Sequence, residues 1–190
     1  MKVLKPVHTG LALFLGLISL GTPAFADTTY TYTGNPVGAA LNGFNPLSCG
    51  GPCTITGSFV TASPLGDSFA FNSIVPESYS FTDGIQTYTN TNSSPSLFYV
   101  GTDASGDVVN TNIELVIGGP VTPTSGSLIA MYNPPGNGWS SDEIIESGNG
   151  AYNLDTGTWA ITDTPEPSCL FMLSSGLAGL GFMKRKAFQR

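Results

Sequence analysis

The stretch from Asp27 to Thr164 contains no lysine, arginine or histidine, yet it holds twelve of the thirteen acidic side chains of the chain. The thirteenth is Glu166. No side-chain salt bridge can form within this stretch. Its acidic groups must therefore be hydrated, cap backbone N–H groups or bind metal ions, and they repel one another. All lysines and arginines lie at the two ends of the chain. The ends and the middle are therefore expected to have different roles.

Residues 1–26 have the layout of a cleaved signal peptide. Two lysines precede an apolar run over residues 11–20, and the small-residue pattern Ala24-Phe25-Ala26 follows it. This run is shorter than the roughly 20 residues that span a bilayer, which disfavours the alternative of an uncleaved anchor. Export by the Sec machinery and cleavage by signal peptidase would leave Asp27 as the mature N-terminus.

Residues 165–190 carry a second addressing signal. They begin with Pro165-Glu166-Pro167, continue with an apolar, glycine-punctuated segment over 168–183, and end with a basic cluster that includes Lys184, Arg185 and Lys186. As a helix rising about 1.5 Å per residue, the segment would measure roughly 24 Å, slightly less than a hydrocarbon core of about 30 Å. Local thinning and snorkelling lysines allow it to span, with the basic end in the cytoplasm.

The order of these three features resembles the PEP-CTERM sorting tail of Gram-negative bacteria, and the resemblance covers this tail alone. It implies transient anchoring in the inner membrane, followed by processing near the motif by an exosortase, a membrane-embedded transpeptidase-like enzyme. The final location would be the cell surface or the extracellular space. Such proteins usually belong to bacteria that make exopolysaccharide and biofilm matrix. Cys169, beside the motif, is interpreted as a thiol of the apolar helix rather than as a lipidation site.

Residues 27–164 have the length of one domain and the pattern of an all-β fold. Turn signals recur about every 8 to 12 residues, and no long stretch has helical periodicity. We expect an antiparallel two-sheet β-sandwich, jelly-roll-like or Ig-like, with closure into a barrel as the alternative. The expected strands cover residues 28–33, 53–61, 69–74, 78–82, 85–89, 97–101, 108–117, 127–132, 150–154 and 158–162.

Two short motifs predict specific turns. Asp83-Gly84 is typical of a two-residue type I′ hairpin loop, which would pair Phe81 with Gln86. Asp155-Thr156-Gly157 matches the aspartic-protease triplet, but it occurs once, whereas that chemistry needs two aspartates. Its flanking residues favour a turn within a terminal β-hairpin.

Cys49 and Cys53 are the cysteine pair of the domain. An oxidising compartment makes a disulfide the expected state, closing a small Gly-Gly-Pro loop. Metal binding by these two thiols would be short of ligands, because the domain has no histidine. Free thiols are the remaining alternative.

The missing side chains exclude most kinds of catalysis. Without histidine or lysine there is no Ser-His, Cys-His or Ser-Lys pair. Without cations there is no clamp for phosphate and no footprint for nucleic acid. Carboxylate chemistry remains, as in a glycoside hydrolase. The carboxylates considered for it, which are more simply interpreted as surface charges, are Glu77, Glu114, Asp142, Glu143 and Glu146.

Binding has better candidates than catalysis. Trp139 and Tyr132 are candidate ligand-binding residues, because an aromatic face can pack against a sugar ring. Tyr152 and Trp159 could join them but are more readily explained as core residues. Calcium is the one cofactor considered, since it prefers carboxylate oxygens, although the acidic groups lack EF-hand spacing. The weak calcium candidates are Asp103, Asp107, Asp142, Glu143 and Glu146.

Taken together, these patterns predict an exported, exosortase-sorted, non-catalytic protein of the cell surface or extracellular matrix, associated with biofilm exopolysaccharide. A carbohydrate-binding β-sandwich module is the first alternative. A carboxylate-based glycoside hydrolase is the second.

Overall fold

The computed structural model describes residues 27–122, 125–136 and 138–163, and these form thirteen β-strands and no helix. They belong to the unit Asp27–Thr164. The expected signal peptide and sorting tail lie outside the described residues. Within those residues, no helix is long and apolar enough to cross a membrane.

The strands follow one another with short connections. In chain order they are β1 (Thr28–Thr33), β2 (Ala39–Ala40), β3 (Asn45–Pro46), β4 (Thr56–Thr61), β5 (Asn72–Ser73), β6 (Ser78–Thr82), β7 (Thr87–Thr89), β8 (Ser94–Thr102), β9 (Val108–Thr122), β10 (Ser125–Asn133), β11 (Ser141–Glu146), β12 (Asn149–Asn153) and β13 (Thr158–Asp163).

These strands form two sheets that pack face to face in a sandwich-like arrangement. The five-stranded sheet has the order β13-β1-β4-β6-β7, and the eight-stranded sheet has the order β2-β12-β11-β10-β9-β8-β5, with β3 also paired to β12. Neighbouring strands are antiparallel except β3 and β12. The prediction of an all-β fold with two antiparallel sheets is confirmed at this level.

The core lies between the sheets, and each sheet contributes a different kind of side chain. Phe59, at 0% exposure, stacks on Tyr30 within the five-stranded sheet at 4.7 Å between ring centroids. Phe98 of the other sheet meets it edge-on at 5.3 Å. Aromatic pairs of this kind contribute about 0.5–1.5 kcal/mol beyond the area they bury. The other large, fully buried side chains include Tyr32, Phe81 and Tyr88 on the five-stranded sheet and Val100, Ile113, Leu115, Ile129, Met131 and Ile144 on the eight-stranded sheet.

The predicted two-residue loop at Asp83-Gly84 is wrong. Phe81 pairs with Tyr88 instead of Gln86, so four residues connect β6 to β7. Asp83 Oδ1 accepts hydrogen bonds from the N–H groups of Ile85 and Gln86 at 2.7 and 2.8 Å. The longer loop places Tyr88, which is fully buried, opposite Phe81. Burial of this aromatic pair therefore sets the register in place of the local turn signal.

The predicted terminal hairpin at Asp155-Thr156-Gly157 is also wrong. The flanking strands β12 and β13 belong to different sheets, so this segment is a crossing between sheets. Asn35 Nδ2 donates to the carbonyl groups of Asp155 and Thr156 at 3.2 and 3.1 Å. Strand β13 then pairs with β1 along its whole length. Asp155 is exposed in this turn.

Cys49 and Cys53 form the predicted disulfide, with 5.6 Å between their Cα atoms. The bridge closes the Gly-Gly-Pro turn just before β4. Cys53 is buried, and its backbone pairs with Val37 in an isolated bridge. The disulfide thereby attaches this loop to the edge of the core.

We expect Gly157→Ala to destabilise the domain. A Cβ at this position would overlap three backbone atoms, the carbonyl carbon and oxygen of Thr33 and the Cα of Gly34. Backbone atoms cannot move aside at low cost, so the free energy of unfolding should fall by about 2–4 kcal/mol. Urea denaturation measures this. The matched control is Gly38→Ala, where nothing lies within 4 Å of the added Cβ, and equal losses in the two variants would contradict the packing argument.

Candidate functional site

The outer face of the eight-stranded sheet carries a stacked pair of aromatic rings. Met131 points into the core, so its neighbour Tyr132 on β10 points outward. The Tyr132 ring stacks on that of Trp139, with 4.5 Å between centroids and 28° between planes. Trp139 is 53% exposed. The two predicted ligand-binding residues therefore lie together, and we call them the aromatic platform.

The loop between β10 and β11 holds Trp139 over Tyr132. Gly136 and Gly138 have φ values of 82° and 67°, a region that side chains disfavour, and they let the chain turn back. Asn133 Nδ2 donates to a backbone carbonyl of β9 at 2.8 Å. Ser140 Oγ donates to a backbone carbonyl just after β12 at 3.0 Å. Hydrogen bonds thus attach both ends of this loop to neighbouring segments.

Polar side chains flank the aromatic platform on the same face. The strand register places Asn112 of β9 and Ser141 of β11 on either side of Tyr132. Ser141 is 1% exposed, and its hydroxyl donates to Glu143 Oε1 at 3.1 Å. Asn112 is half-buried, and its amide can both donate and accept hydrogen bonds. The face therefore combines an apolar ring surface with an amide of the kind that binds sugar hydroxyls.

A groove of about 560 Å³ opens near one end of the sandwich, beside β13. The loop 103–107, the first residues of β9 and the segment 156–159 contribute to its lining, and Tyr132 and Trp139 do not. The aromatic platform is therefore an open surface rather than part of this groove. An open surface suits an extended chain better than an enclosed small molecule.

The carboxylates considered for glycoside hydrolysis are spread over both faces of the sheet. Glu114 and Glu143 both pair with Ala130, so two strand spacings, about 10 Å, separate their Cα atoms on the outer face. Asp142 and Glu146 point into the interior. Glu77 is exposed just before β6.

The residues considered for calcium do not meet at one place. Asp103 Oδ1 accepts hydrogen bonds from two backbone N–H groups of its own loop, one of them that of Asp107, at 2.8 and 3.0 Å. This is the geometry of a plain hairpin loop. Asp142 and Glu146 point inward, whereas Glu143 between them points outward. Among the described residues, no group of three His, Cys, Asp or Glu side chains is placed to hold a metal ion.

Asp142 is a buried carboxyl group that bridges the two sheets. The hydroxyl of Tyr32, on β1, donates to its Oδ1 at 2.6 Å and accepts from the N–H of Gly157 at 2.6 Å. Burial raises the pKa of Asp142 to about 7, although the Tyr32 hydroxyl and nearby backbone N–H groups partly offset this. Its Oδ2 is enclosed beside Gly34 and makes no hydrogen bond with any described residue.

A second contact of this kind lies at the other end of β11. The hydroxyl of Tyr88, on β7, donates to Glu146 Oε1 at 2.8 Å, and Ser127 Oγ donates to Oε2 at 2.8 Å. Burial raises the pKa of Glu146, and the neighbouring carboxyl of Asp83 raises it further. Burial also raises the pKa of both tyrosines, which keeps them protonated as donors. Two tyrosines of one sheet therefore hold two carboxyl groups of the other.

Sequence reasoning does not find these tyrosine–carboxyl contacts. Asp142, Ile144 and Glu146 alternate with period two, and the buried isoleucine shows that this face points inward. In a stretch without cations, the sequence signal for such a contact is an acidic residue two positions away from a buried apolar residue in the same strand. Its tyrosine partner, however, comes from a distant part of the chain.

We expect the stability of the domain to depend on the protonation of Asp142. The pKa of this group is higher in the folded state than in the unfolded state, so the folded state binds the extra proton between about pH 4 and 7. The stabilisation is fully present below the unfolded pKa and is lost as pH rises through about 7. Asp142→Asn should flatten the melting temperature profile over this window and raise stability at pH 8, by an amount on the order of 2–4 kcal/mol.

The matched control is Glu143→Gln, which removes the same charge from the next residue of the strand, on its outer face. It should leave the shape of the pH profile unchanged. If Glu143→Gln flattens the profile as much as Asp142→Asn, overall charge repulsion is the cause. If Asp142→Asn is less stable than the wild type at pH 8, the buried carboxylate is needed in its ionised form.

Comparison of this chain with protein-family models, curated proteins and solved structures finds no match.

Proposed function

We propose that this protein is an exported, non-catalytic component of the cell surface or extracellular matrix that binds polysaccharide through Trp139 and Tyr132. The observation that carries this proposal is the stacked aromatic platform, whose indole is half exposed. One ring supports the other, so the surface is flat and held before a ligand arrives. Ordering a binding surface in advance lowers the entropic cost of binding.

The chemistry of the aromatic platform favours a sugar polymer over a protein or a nucleotide. The C–H face of a sugar ring is apolar and packs on an indole, while its hydroxyl groups reach toward neighbouring polar side chains. Asn112, half-buried and directly opposite Tyr132 in the strand register, is in reach of such groups. Nucleic acid would need cations, and residues 27–164 have none.

The negative charge of the domain favours uncharged polysaccharides as ligands over acidic ones. Glu114 and Glu143 lie on the same face as the aromatic platform, and no positive side chain in residues 27–164 offsets them. Acidic polysaccharides would therefore be repelled. An uncharged polysaccharide is the ligand class that this face suits.

We also infer that the protein reaches the cell exterior through its two terminal segments. Residues 1–26 would direct export. The motif Pro165-Glu166-Pro167, the apolar segment after it and the basic cluster Lys184-Arg185-Lys186 would hold the chain in the inner membrane until an exosortase processes it. This sorting would deliver a polysaccharide-binding domain to the place where exopolysaccharide accumulates.

We propose that the sandwich combines a five-strand meander with several crossings between the two sheets. Strands β8 to β12 follow one another in the chain and lie side by side in the eight-stranded sheet. Between β1 and β8, and again at β13, the chain does pass from one sheet to the other, which retains a partial jelly-roll character.

We expect Trp139→Ala to weaken polysaccharide binding while leaving the fold intact. The substitution removes the exposed ring of the stacked pair, so the dissociation constant for an uncharged polysaccharide should rise about tenfold, equivalent to about 1.4 kcal/mol. An array of neutral and acidic polysaccharides identifies a ligand, and calorimetry measures the change. Trp139→Phe keeps an aromatic ring and should recover part of the affinity.

The matched control is Val75→Ala, which removes another exposed apolar side chain, 94% exposed, from the segment between β5 and β6. It should bind as the wild type does. Equal loss in both variants, or binding to no neutral polysaccharide, would contradict the proposal. Release of new reducing ends from the bound polysaccharide would overturn its non-catalytic part and direct attention to Glu114 and Glu143.

We expect the mature protein to begin at Asp27 and to lack the segment from Ser168 onward. The first cleavage follows from the small-residue pattern before Asp27, and the second from processing near Pro165-Glu166-Pro167. Intact-mass measurement on protein from the native host tests both ends. A stable, released product that keeps the apolar tail would rule out the sorting proposal, whatever the result for polysaccharide binding.

A further inference from the structure

Strand β13 leaves one side of the five-stranded sheet open. It pairs with β1 along all six residues, from Thr28 with Asp163 to Thr33 with Thr158. Among the described residues, no strand pairs with its other side. An open strand edge presents unpaired N–H and C=O groups that can pair with another chain.

The other long edges of the two sheets are protected, whereas β13 is not. The exposed part of β8 contains Pro95 and a register shift between Pro95 and Leu97, and β2 and β3 cover β12. Strand β13 contains no proline, lysine or arginine, and its pairing with β1 is regular throughout. Its one acidic residue, Asp163, is at the end. The usual devices that block pairing at an edge are therefore missing.

We propose that β13 pairs antiparallel with β13 of a second copy of this chain, about a two-fold axis through Ala160. In a continuous sheet, residues opposite each other point to the same face, so the axis must pass through a residue. When the axis is centred on Ala160, Trp159 lies opposite Ile161 of the second copy on the inner face, and Thr158 lies opposite Thr162 on the outer face. If the axis were centred on Ile161 instead, Trp159 would lie opposite Asp163.

The pairs that this register creates are favourable ones. Aromatic side chains opposite β-branched ones, and threonine opposite threonine, stabilise antiparallel sheets. Trp159 and Ile161 are partly buried against the core and keep part of their surface exposed. Trp159 also lines the groove beside β13, where Val108 and Val109 lie together with Asp103 and Asp107. A second strand would cover the exposed parts of Trp159 and Ile161 and join the two five-stranded sheets into one.

Electrostatic repulsion opposes this association and makes it depend on salt concentration. Residues 27–164 of each copy are acidic and contain no cation, so two copies repel each other. The Debye length falls from about 10 Å at 0.1 M salt to about 3 Å at 1 M. Dimerisation should therefore strengthen as sodium chloride is raised, whereas an association of oppositely charged surfaces would weaken.

The test compares Ala160→Lys and Ala160→Glu with the wild type, using the protein as its native host produces it. Ala160 is exposed and would lie opposite its own copy, so either substitution places like charges in direct opposition. Analytical ultracentrifugation over a salt series should show a wild-type dimer that tightens with salt. Both variants should raise the dimer dissociation constant at least about tenfold. Melting temperatures verify that the variants fold.

The two signs of charge separate local from global effects. A general change in net charge would make Ala160→Lys dimerise more tightly and Ala160→Glu less tightly, and that result would overturn the proposal. The matched control is Thr87→Lys, an exposed position on β7 at the opposite edge of the same sheet, which should leave dimerisation intact. A wild-type chain that stays monomeric at high salt, with its edge free or covered by another segment or an unlike partner, would also overturn it.

Discussion

The domain holds inward-facing carboxyl groups without any cation, and tyrosine hydroxyls donate hydrogen bonds to them instead. Tyr32 donates to Asp142 and Tyr88 donates to Glu146, in both cases from the five-stranded sheet to β11 of the other. A tyrosine combines an apolar body with a hydrogen-bond donor at its tip, so it can fill the core and satisfy an acid at once. The aromatic character of the five-stranded sheet follows in part from this requirement. The same contacts make the packing of the two sheets sensitive to protonation.

This constraint also determines what the outer surface can offer a ligand. Outward-facing acids such as Glu114 and Glu143 have no cationic neighbour in residues 27–164, which leaves no place for an anionic ligand. The uncharged groups on the outer face of the eight-stranded sheet include the rings of Tyr132 and Trp139, the amide of Asn112 and the aliphatic side chains of Val116 and Leu128. The polysaccharide binding proposed above would therefore depend on stacking and uncharged hydrogen bonds.

Alternation of apolar and polar side chains predicts the fold class and the positions of many strands, including β1 and β6 to the residue. This pattern fails to predict the structure where packing between residues distant in sequence determines it. Strand β11 is not predicted, because two of its three inward positions are acidic. The loop at Asp83 is longer than its turn signal suggests, because the register follows the burial of Tyr88. Trp139 and Tyr132 are each identifiable as candidates, but their stacking depends on how the intervening glycine loop folds back, which no local pattern specifies.

The pairing of β1 with β13 joins the first and last strands of the described chain, from Thr28 with Asp163 onward. Contacts between residues so far apart in sequence form late, because loop closure must precede them, and folds dominated by such contacts fold slowly. A chain synthesised from its N-terminus cannot complete the five-stranded sheet until residue 163 is available. The edge of β1 that pairs with β13 therefore stays unpaired until all the other strands have been synthesised. The order of the strands therefore delays completion of the native state until the last strand has been made, which would favour the proposed export of an unfolded chain.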